Sequence, residues 1–278
     1  LDKDKIDYLK KIAIEIRRDS IDVLKTAGSG HLGGSLSAVE LMVYLYFHKM
    51  NVDPKEPYKS DRDIFILSKG HASIGYYCVL ARRGFFSYDE LKTYRKINSR
   101  LQGHPHIDDV PGIECSSGSL GQGLSFGIGI ALGYKKKGLT SNVYVMVGDG
   151  ELEEGQIWEA LMLQSYLKLD NLIIIIDNNK LQLDDFTENI TGINNLKKKF
   201  ESFDFNVSEI NGNDFESIDN AFSNLRNDKP NIIIANTVKG KGISFMENKI
   251  EWHSKKIDDE EYEKAIEELN SQEESLNE

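Results

Sequence analysis

Gly148-Asp149-Gly150 stands directly behind the apolar run Val143 to Val147, and Asn178-Asn179 directly behind Leu172 to Asp177. Glycines on both sides of Asp149 let the backbone approach a phosphate closely, yet a carboxylate between them repels a bare anion. A divalent cation removes that conflict, because Mg²⁺ takes hard oxygen ligands, one or two from protein and the rest from phosphate and water. Asp149 taken alone is equally suited to cap the following helix; Asn179, thirty positions on, tips the pair toward a Mg²⁺-diphosphate site. Residue order by itself does not choose between Asn178 and Asn179. Histidines add proton chemistry. His31 lies among Gly28, Gly30, Gly33 and Gly34, and His71 beside Gly70 opens a helix, where free N–H groups and the dipole favour anions. His104 and His106 lie in a stretch rich in glycine, proline and serine. An imidazole titrating near neutrality can pass protons to and from a bound carbonyl or hydroxyl. The H-x-H pair has no further ligand at a zinc-like spacing.

The elements that must position these residues follow from the same runs. Two β-branched segments joined by a helix-length stretch, Glu153 to Lys168, read as a βαβ unit whose right-handed crossover lays the strands parallel. Both motifs then fall at the carboxyl edge of an open parallel sheet, where ligands bind. Ile6, Leu9, Ile12, Ile16, Ile21 and Leu24 recur at helical period and mark a long opening helix that stops at Gly28 to Gly30. A second helix is expected over about Ser37 to Met50, a strand over Asp63 to Leu67 and a helix over Gly70 to Arg83. Residues 98 to 123 read as a functional loop. Strand, helix and strand recur at Asn206 to Ile210, Phe215 to Arg226 and Asn231 to Ala235. Strands ending near Leu67, Val147, Asp177 and Ala235 each deliver a motif to one edge. The fold class is α/β, a single domain with a mostly parallel sheet flanked by helices, over residues 1–257; residues 258–278 read as an acidic helix or tail. Gly127, Gly129 and Gly133 read as close-packing positions on a helix that marks a subunit interface.

Composition sets the outer bounds. With 278 residues, 40% hydrophobic and 28% charged, the chain is long enough for a real core and ordinary for a globular protein. A net charge of -11 without a basic block argues against a nucleic-acid surface. Cys78 and Cys115 form no CxxC pair, which favours a reducing cytoplasm over a disulfide framework. No secretory segment and no membrane-spanning stretch is legible. The first residue is Leu, so the start of the chain says nothing about targeting.

The order of the motifs carries a family resemblance. Ser29-Gly30-His31, Ser68-Lys69-Gly70-His71-Ala72, Gly103-His104-Pro105, Gly118-Ser119-Leu120-Gly121-Gln122-Gly123, Gly148 through Asn179, and Lys239-Gly240-Lys241-Gly242 with His253 together resemble the amino-terminal, diphosphate-binding half of a transketolase. The likeness spans about residues 10 to 255 and implies the thiamine diphosphate-binding fold, with thiamine diphosphate and Mg²⁺ (Ca²⁺ or Mn²⁺ as substitutes) as cofactors. It implies metal ligands at Asp149, Asn179 and the Leu181 carbonyl. Cofactor contacts are implied at His71, Gly118, Leu120, Gly148, Gly150, Glu154, Asn179 and His253, and catalytic roles at His31, His104 and His253. In that family a glutamate that activates the cofactor and the arginines that hold the substrate phosphate come from a second, pyrimidine-binding domain, which lies beyond this chain. The resemblance therefore implies a split transketolase: a separate carboxy-terminal subunit, two copies of each chain as a heterotetramer, and ketol transfer between sugar phosphates. Leu32, Ser119 and His106 depart from residues common in the family, and relatives acting on sulfonated or branched sugars would share the same motifs. The α subunit of a 2-oxo acid dehydrogenase carries the G-D-G and N-N elements too, but not the histidine set. A deoxyxylulose phosphate synthase fits the length less well. A dinucleotide-binding module lacks its G-x-G-x-x-G here, since Glu153 occupies the third glycine's place.

Overall fold

The structure is a computed structural model and describes residues 1–277, so the last residue of the expected 258–278 tail lies outside it. Five parallel strands form one sheet in the order β1-β2-β3-β5-β4, with β1 Ile64–Leu67, β2 Val143–Gly148, β3 Leu172–Asn178, β4 Asn206–Asn211 and β5 Asn231–Asn236. Gly148 pairs with Asp177 in register, which sets the two motif-bearing strand ends side by side.

Strand residues alternate between two cores, as a period of two demands. Phe65, Leu67, Tyr144, Met146, Ile173, Ile175, Ile233 and Ala235 face one layer, and Ile64, Ile66, Val143, Val145, Val147, Leu172, Ile174, Ile176, Ile232 and Ile234 the other. The first layer holds α1 (Lys3–Ala27), α2 (Leu32–Leu36), α3 (Val39–Tyr44), α4 (Ser73–Arg83), α9 (Phe215–Ser223) and α10 (Asp259–Asn277). The second holds α5 (Gln122–Lys136), α6 (Gly155–Leu167) and α8 (Leu196–Ser202), with the single turn α7 (Thr187–Ile190) between β3 and α8. The connection from β4 to β5 runs back across the sheet, and its helix α9 lies on the opposite face from α6 and α8. Reversing direction at constant handedness requires that exchange of faces.

Helix α1 begins at Asp2, whose carboxylate accepts from Lys5 N at 2.8 Å, and ends at Gly28 with φ +67°. The helix expected over residues 37–50 is present as α3 running straight into a π turn at Leu45–Lys49, and the short helix α2, which was not expected, precedes it. Ser37 separates α2 from α3. Its buried hydroxyl reaches Gly34 O at 3.1 Å and Asp177 Oδ2 at 2.6 Å, so it is tied to the sheet edge instead of riding a continuous helix. Residues 94 to 121 carry no helix or strand, as expected of the loop, although a 3₁₀ turn at Tyr88–Thr93 precedes it. The acidic C-terminal stretch forms α10, which lies along α1 through buried Ala265 and Leu269, an Arg18–Glu273 ion pair of 2.8 Å and a Tyr262–Asp22 hydrogen bond of 2.8 Å. Among the described residues no helix is long and apolar enough to cross a membrane.

Candidate active site

The carboxyl ends of β1, β2, β3 and β5 open into one crevice. Behind β2, Asp149 is 8% exposed and accepts from Gly150 N at 2.8 Å and from Lys180 N. It thus performs the capping role and faces the turn after β3 together. Asn179, also 8% exposed, accepts from Leu181 N at 3.1 Å and donates to Asp177 Oδ2 at 3.2 Å. Asn178 turns the other way and donates to Asn236 Oδ1 of β5 at 2.7 Å. This separates the two asparagines that residue order left equivalent: Asn178 ties strand ends together, and Asn179 lies inward beside Asp177. Burial, then the charge of Asp177, pushes the Asp149 carboxyl up to about 7. The Leu181 carbonyl is met by Lys239 Nζ at 3.4 Å.

Beneath these residues lies a polar network that sequence reasoning missed. Lys69 and Asp177, 1% and 0% exposed along their side chains, form an ion pair. Asp177 also accepts from Ser37 Oγ and Thr237 Oγ1. Burial alone would raise the Asp177 carboxyl, but the Lys69 charge and these donors together bring it below the usual carboxylate range. Glu151, 2% exposed, accepts from Gly148 N at 3.0 Å, Gly121 N at 2.8 Å and Ser68 Oγ. It locks the ends of β1 and β2 to the glycine cluster ahead of α5. The available signal was an acid directly behind an apolar run: Asp177 closes the Leu172 to Ile176 run, and Glu151 follows Gly150.

Above the network four imidazoles converge. The His31 ring centroid lies 5.2 Å from that of His253, 5.7 Å from His71 and 6.2 Å from His104, and the His71 and His253 rings are 5.4 Å apart. Gly240 N donates to Gly33 O at 3.0 Å, so the loop bearing His31 is held against the segment leading to His253. Ser117 N donates to Pro105 O at 3.0 Å, which fixes the His104 loop to the glycine cluster. Gly118, at φ +127°, lies under His104; a Cβ there would come within 3.3 Å of the ring. His106 is exposed and turned away, 3.8 Å from Asp109. Burial, then the charge of Arg95, lowers His31 to about 4. Burial, then Lys239, lowers His253 to about 4, and His71 falls well below its ordinary value. All three rings are neutral at pH 7. Lys239 Nζ meets His253 Nδ1 at 3.2 Å. An ammonium only donates, so Nδ1 accepts and the ring proton sits on Nε2.

The remaining expected positions are less central. Leu120 is half-buried, and its carbonyl accepts from Gln156 Nε2 at 3.0 Å. Glu154 is exposed at the start of α6, next to Gly121, with no side-chain hydrogen bond among the described residues. Gly127 is a close-packing position, since a Cβ would sit 2.5 Å from Val145 Cγ2, whereas Gly129 and Gly133 pack against nothing within this chain.

The donor set suits a metal-bound diphosphate. Asp149 is a buried carboxyl without a cationic side chain bonded to it, and buried lysines and neutral imidazoles lie beside it. His31 Nδ1 is buried with no hydrogen-bond partner, so it awaits one. Among the described residues no cluster of three His, Cys, Asp or Glu side chains could hold a metal. The donors the resemblance implies, one carboxylate, one amide and one carbonyl, are of a different kind and would suit a hard cation that draws its other ligands from phosphate and water.

Comparison with known proteins gives the family and the fold. Residues 9–276 match the family described as "Transketolase, thiamine diphosphate binding domain". The chain is 46% identical over 265 residues to one subunit of the apulose-4-phosphate transketolase of Actinobacillus succinogenes, covering 95% of this chain and 96% of that one. It is 38% identical over 256 residues to a 6-deoxy-6-sulfo-D-fructose transketolase subunit of a Clostridium species, covering 91% and 93%. The crystal structure of transketolase from Campylobacter jejuni superposes with a TM-score of 0.89 at 33% identity, covering 94% of this chain but 42% of that one.

Proposed function

The chain belongs to the transketolase family through its thiamine diphosphate-binding domain, and from that membership we propose that it is the diphosphate-binding subunit of a two-chain enzyme. That enzyme transfers a two-carbon ketol unit from a ketose to an aldose. The observation that carries the reading is the convergence of four imidazoles on the sheet edge that bears Asp149 and Asn179.

Thiamine diphosphate, when bound, supplies an electron sink for breaking and forming a carbon–carbon bond. Asp149, Asn179 and the Leu181 carbonyl would hold Mg²⁺, with Ca²⁺ or Mn²⁺ as substitutes. Gly148, Gly150, Gly118, Leu120, His71, His253 and Glu154 would line the cofactor. His31, His104 and His253 would face the sugar. With Lys239 on its Nδ1, His253 holds its proton on Nε2, ready for a sugar oxygen. His31 keeps a buried, unpartnered Nδ1 for a substrate hydroxyl. Burial keeps these rings neutral, so each can accept a proton or a hydrogen bond at one nitrogen and donate a hydrogen bond from the other. In this reading residues 1–257 are the cofactor-binding unit and α10 is a strap along α1.

The substrate class we propose is a sugar with an anionic terminal group, because the two split relatives are named for a sugar phosphate and a sulfonated sugar. The pyrimidine-binding domain would come from a separate subunit, two copies of each chain assembling. Phe126 on α5 and Met162, Leu163 and Tyr166 on α6 are 53%, 52%, 47% and 83% exposed, apolar surface suited to such an assembly. A cytoplasmic setting accords with two buried free thiols.

Native mass spectrometry of the chain isolated from its own source tests the reading. Equal copies of a second chain, with thiamine diphosphate and a divalent ion, are expected. Ketol transfer should require both chains; a normal rate from this chain alone, or an assembly carrying a nucleotide instead, would overturn it. Glu154→Gln should weaken cofactor affinity or its cooperativity in the assembled enzyme, and unchanged values for both would remove Glu154 from the site.

A further inference from the structure

The turn that follows β5, Val238 to Gly242, carries Lys239, and it is held from beneath on both sides of that residue. Val238 N donates to Asn213 Oδ1 at 2.8 Å, and Arg17 Nε donates to Lys241 O at 2.8 Å. Both grips lead back to one buried ion pair. Arg17 Nη2 meets the two Glu40 carboxylate oxygens at 2.7 and 2.9 Å, and Asn213 Nδ2 donates to the same carboxylate at 2.9 Å and to Ser37 O at 3.0 Å. The pair thus joins α1, α3 and the turn before α9, and its two outlets are main-chain atoms flanking Lys239. Gly242, at φ +95°, is the point of contact with α1: a Cβ there would come within 2.6 Å of Arg17 Nε. The outer side of the turn is held separately by α10. Ser244 N and Oγ each donate to Glu268 at 2.6 Å, and Gln272 Nε2 donates to Gly242 O at 2.7 Å.

We propose that the Arg17–Glu40–Asn213 network is a positioning device for the reaction: it sets Lys239 against His253 and so fixes which ring nitrogen of His253 carries the proton. The inference deepens the ketol-transfer reading and rests on it for its catalytic consequence. Lys239 Nζ has three acceptors, Gln182 O at 3.0 Å, His253 Nδ1 at 3.2 Å and Leu181 O at 3.4 Å, one for each N–H of an ammonium. A displacement of about 0.5 Å, the tolerance of a functional constellation, carries the bond to His253 out of hydrogen-bond range. Among the described residues His253 Nδ1 has no other donor, so its proton is then no longer held on Nε2. Desolvating both charges offsets most of their attraction, so stability alone gives little reason to bury Arg17 with Glu40. Positioning gives one. Because α10 grips the turn from outside, loss of the inner network displaces the turn without releasing it.

The test removes the pair without stranding a charge. Arg17→Met combined with Glu40→Leu deletes both partners, and the readout is the ¹⁵N resonance of His253 Nδ1 in the full chain labelled at its histidines, assigned by its absence from His253→Gln. In the wild type Nδ1 should resonate as an acceptor bonded to a donor, with the proton on Nε2. In the double variant that hydrogen-bond shift should be lost and the two tautomers should mix, while His104 and His106 keep their resonances. In the enzyme assembled with its partner chain, kcat for ketol transfer should fall on the order of 10- to 100-fold with a smaller change in KM. Asn213→Ala cuts the link to Val238 and leaves the ion pair; it should produce the same changes in smaller measure, and it decides the case if the double variant does not fold. A lowered melting temperature with wild-type His253 resonances and kcat would make the network purely structural and overturn the proposal. So would a fall in kcat with unchanged His253 resonances. Resonances that respond as stated in a wild-type assembly that transfers no ketol group would instead sink the ketol-transfer reading and leave the positioning of His253 standing.

Discussion

Asp177 and Lys69 show how much of the site is set by single buried charges. Taking either charge out of water alone costs several kcal/mol, and each is tolerated because the other, with Ser37 and Thr237, satisfies it. Lys69→Met should therefore destabilise the chain by about 3–5 kcal/mol, leaving Asp177 charged and unpaired. Urea denaturation checks this, and a loss under about 1 kcal/mol would mean the pair behaves like an exposed one. The histidines give a pH dependence of definite sign. The folded His31 binds its proton only near pH 4, against 6.5 ordinarily, so between these values the unfolded chain holds more protons. Its contribution is present above about pH 6.5 and is lost as pH falls toward 4, and His253 acts in the same direction. Replacing His31 by Asn should flatten stability against pH across that window, read as the difference between variant and wild-type denaturation curves. A difference that stays constant with pH would contradict the buried, neutral ring. Asp149 and the histidines were legible as candidates by residue type, and the structure brings His31, His71, His104 and His253 together. Glu151, Asp177, Lys239 and Arg17 were not singled out, because an acidic or basic side chain in sequence carries no mark of burial or of its partner.

The elements carry these residues by register and close approach. α5 lies on β2 through Gly127, and its amino-terminal turn supports the glycine cluster that Glu151 grips. Gly127→Ala should destabilise the chain by about 1–3 kcal/mol, since the new methyl meets Val145 on a strand that cannot yield. Gly129→Ala, on the same helix but facing open space, should stabilise the isolated chain by about 0.5–1 kcal/mol. Opposite signs in thermal denaturation confirm which face of α5 packs; equal signs would refute it. The strands were readable because apolar β-branched runs of strand length are distinctive, and helices α1 and α9 because their periodicity is uninterrupted. The short helix α2, residues 32 to 36, was not read. Buried on every side, it lacks the polar face that fixes helical phase, and the Ser37 bond that ends it reaches a residue 140 positions away.

At the scale of the whole molecule, a chain that spans 42% of the Campylobacter transketolase has a complete two-layer core and an open site. Mg²⁺ with thiamine diphosphate should raise the melting temperature of the assembled enzyme, by an amount corresponding to about 2.7 kcal/mol at a hundredfold excess over Kd. EDTA should reverse it, and a melting temperature indifferent to both would exclude metal-assisted cofactor binding. The sequence by itself determined the fold class, the strand ends, the family and the candidate residues of the histidine cluster and of the loop around Asp149, because these depend on local periodicity and on motifs whose order survives along a chain. Only the tertiary structure decided that Asn179 and not Asn178 turns inward, that Lys69 and Asp177 neutralise each other under the site, that the imidazoles stand within 6.2 Å of His31, and that a buried Arg17–Glu40 pair lies beneath the turn bearing Lys239. Each of those depends on distances between segments far apart in the chain, and on the water that folding removes between them.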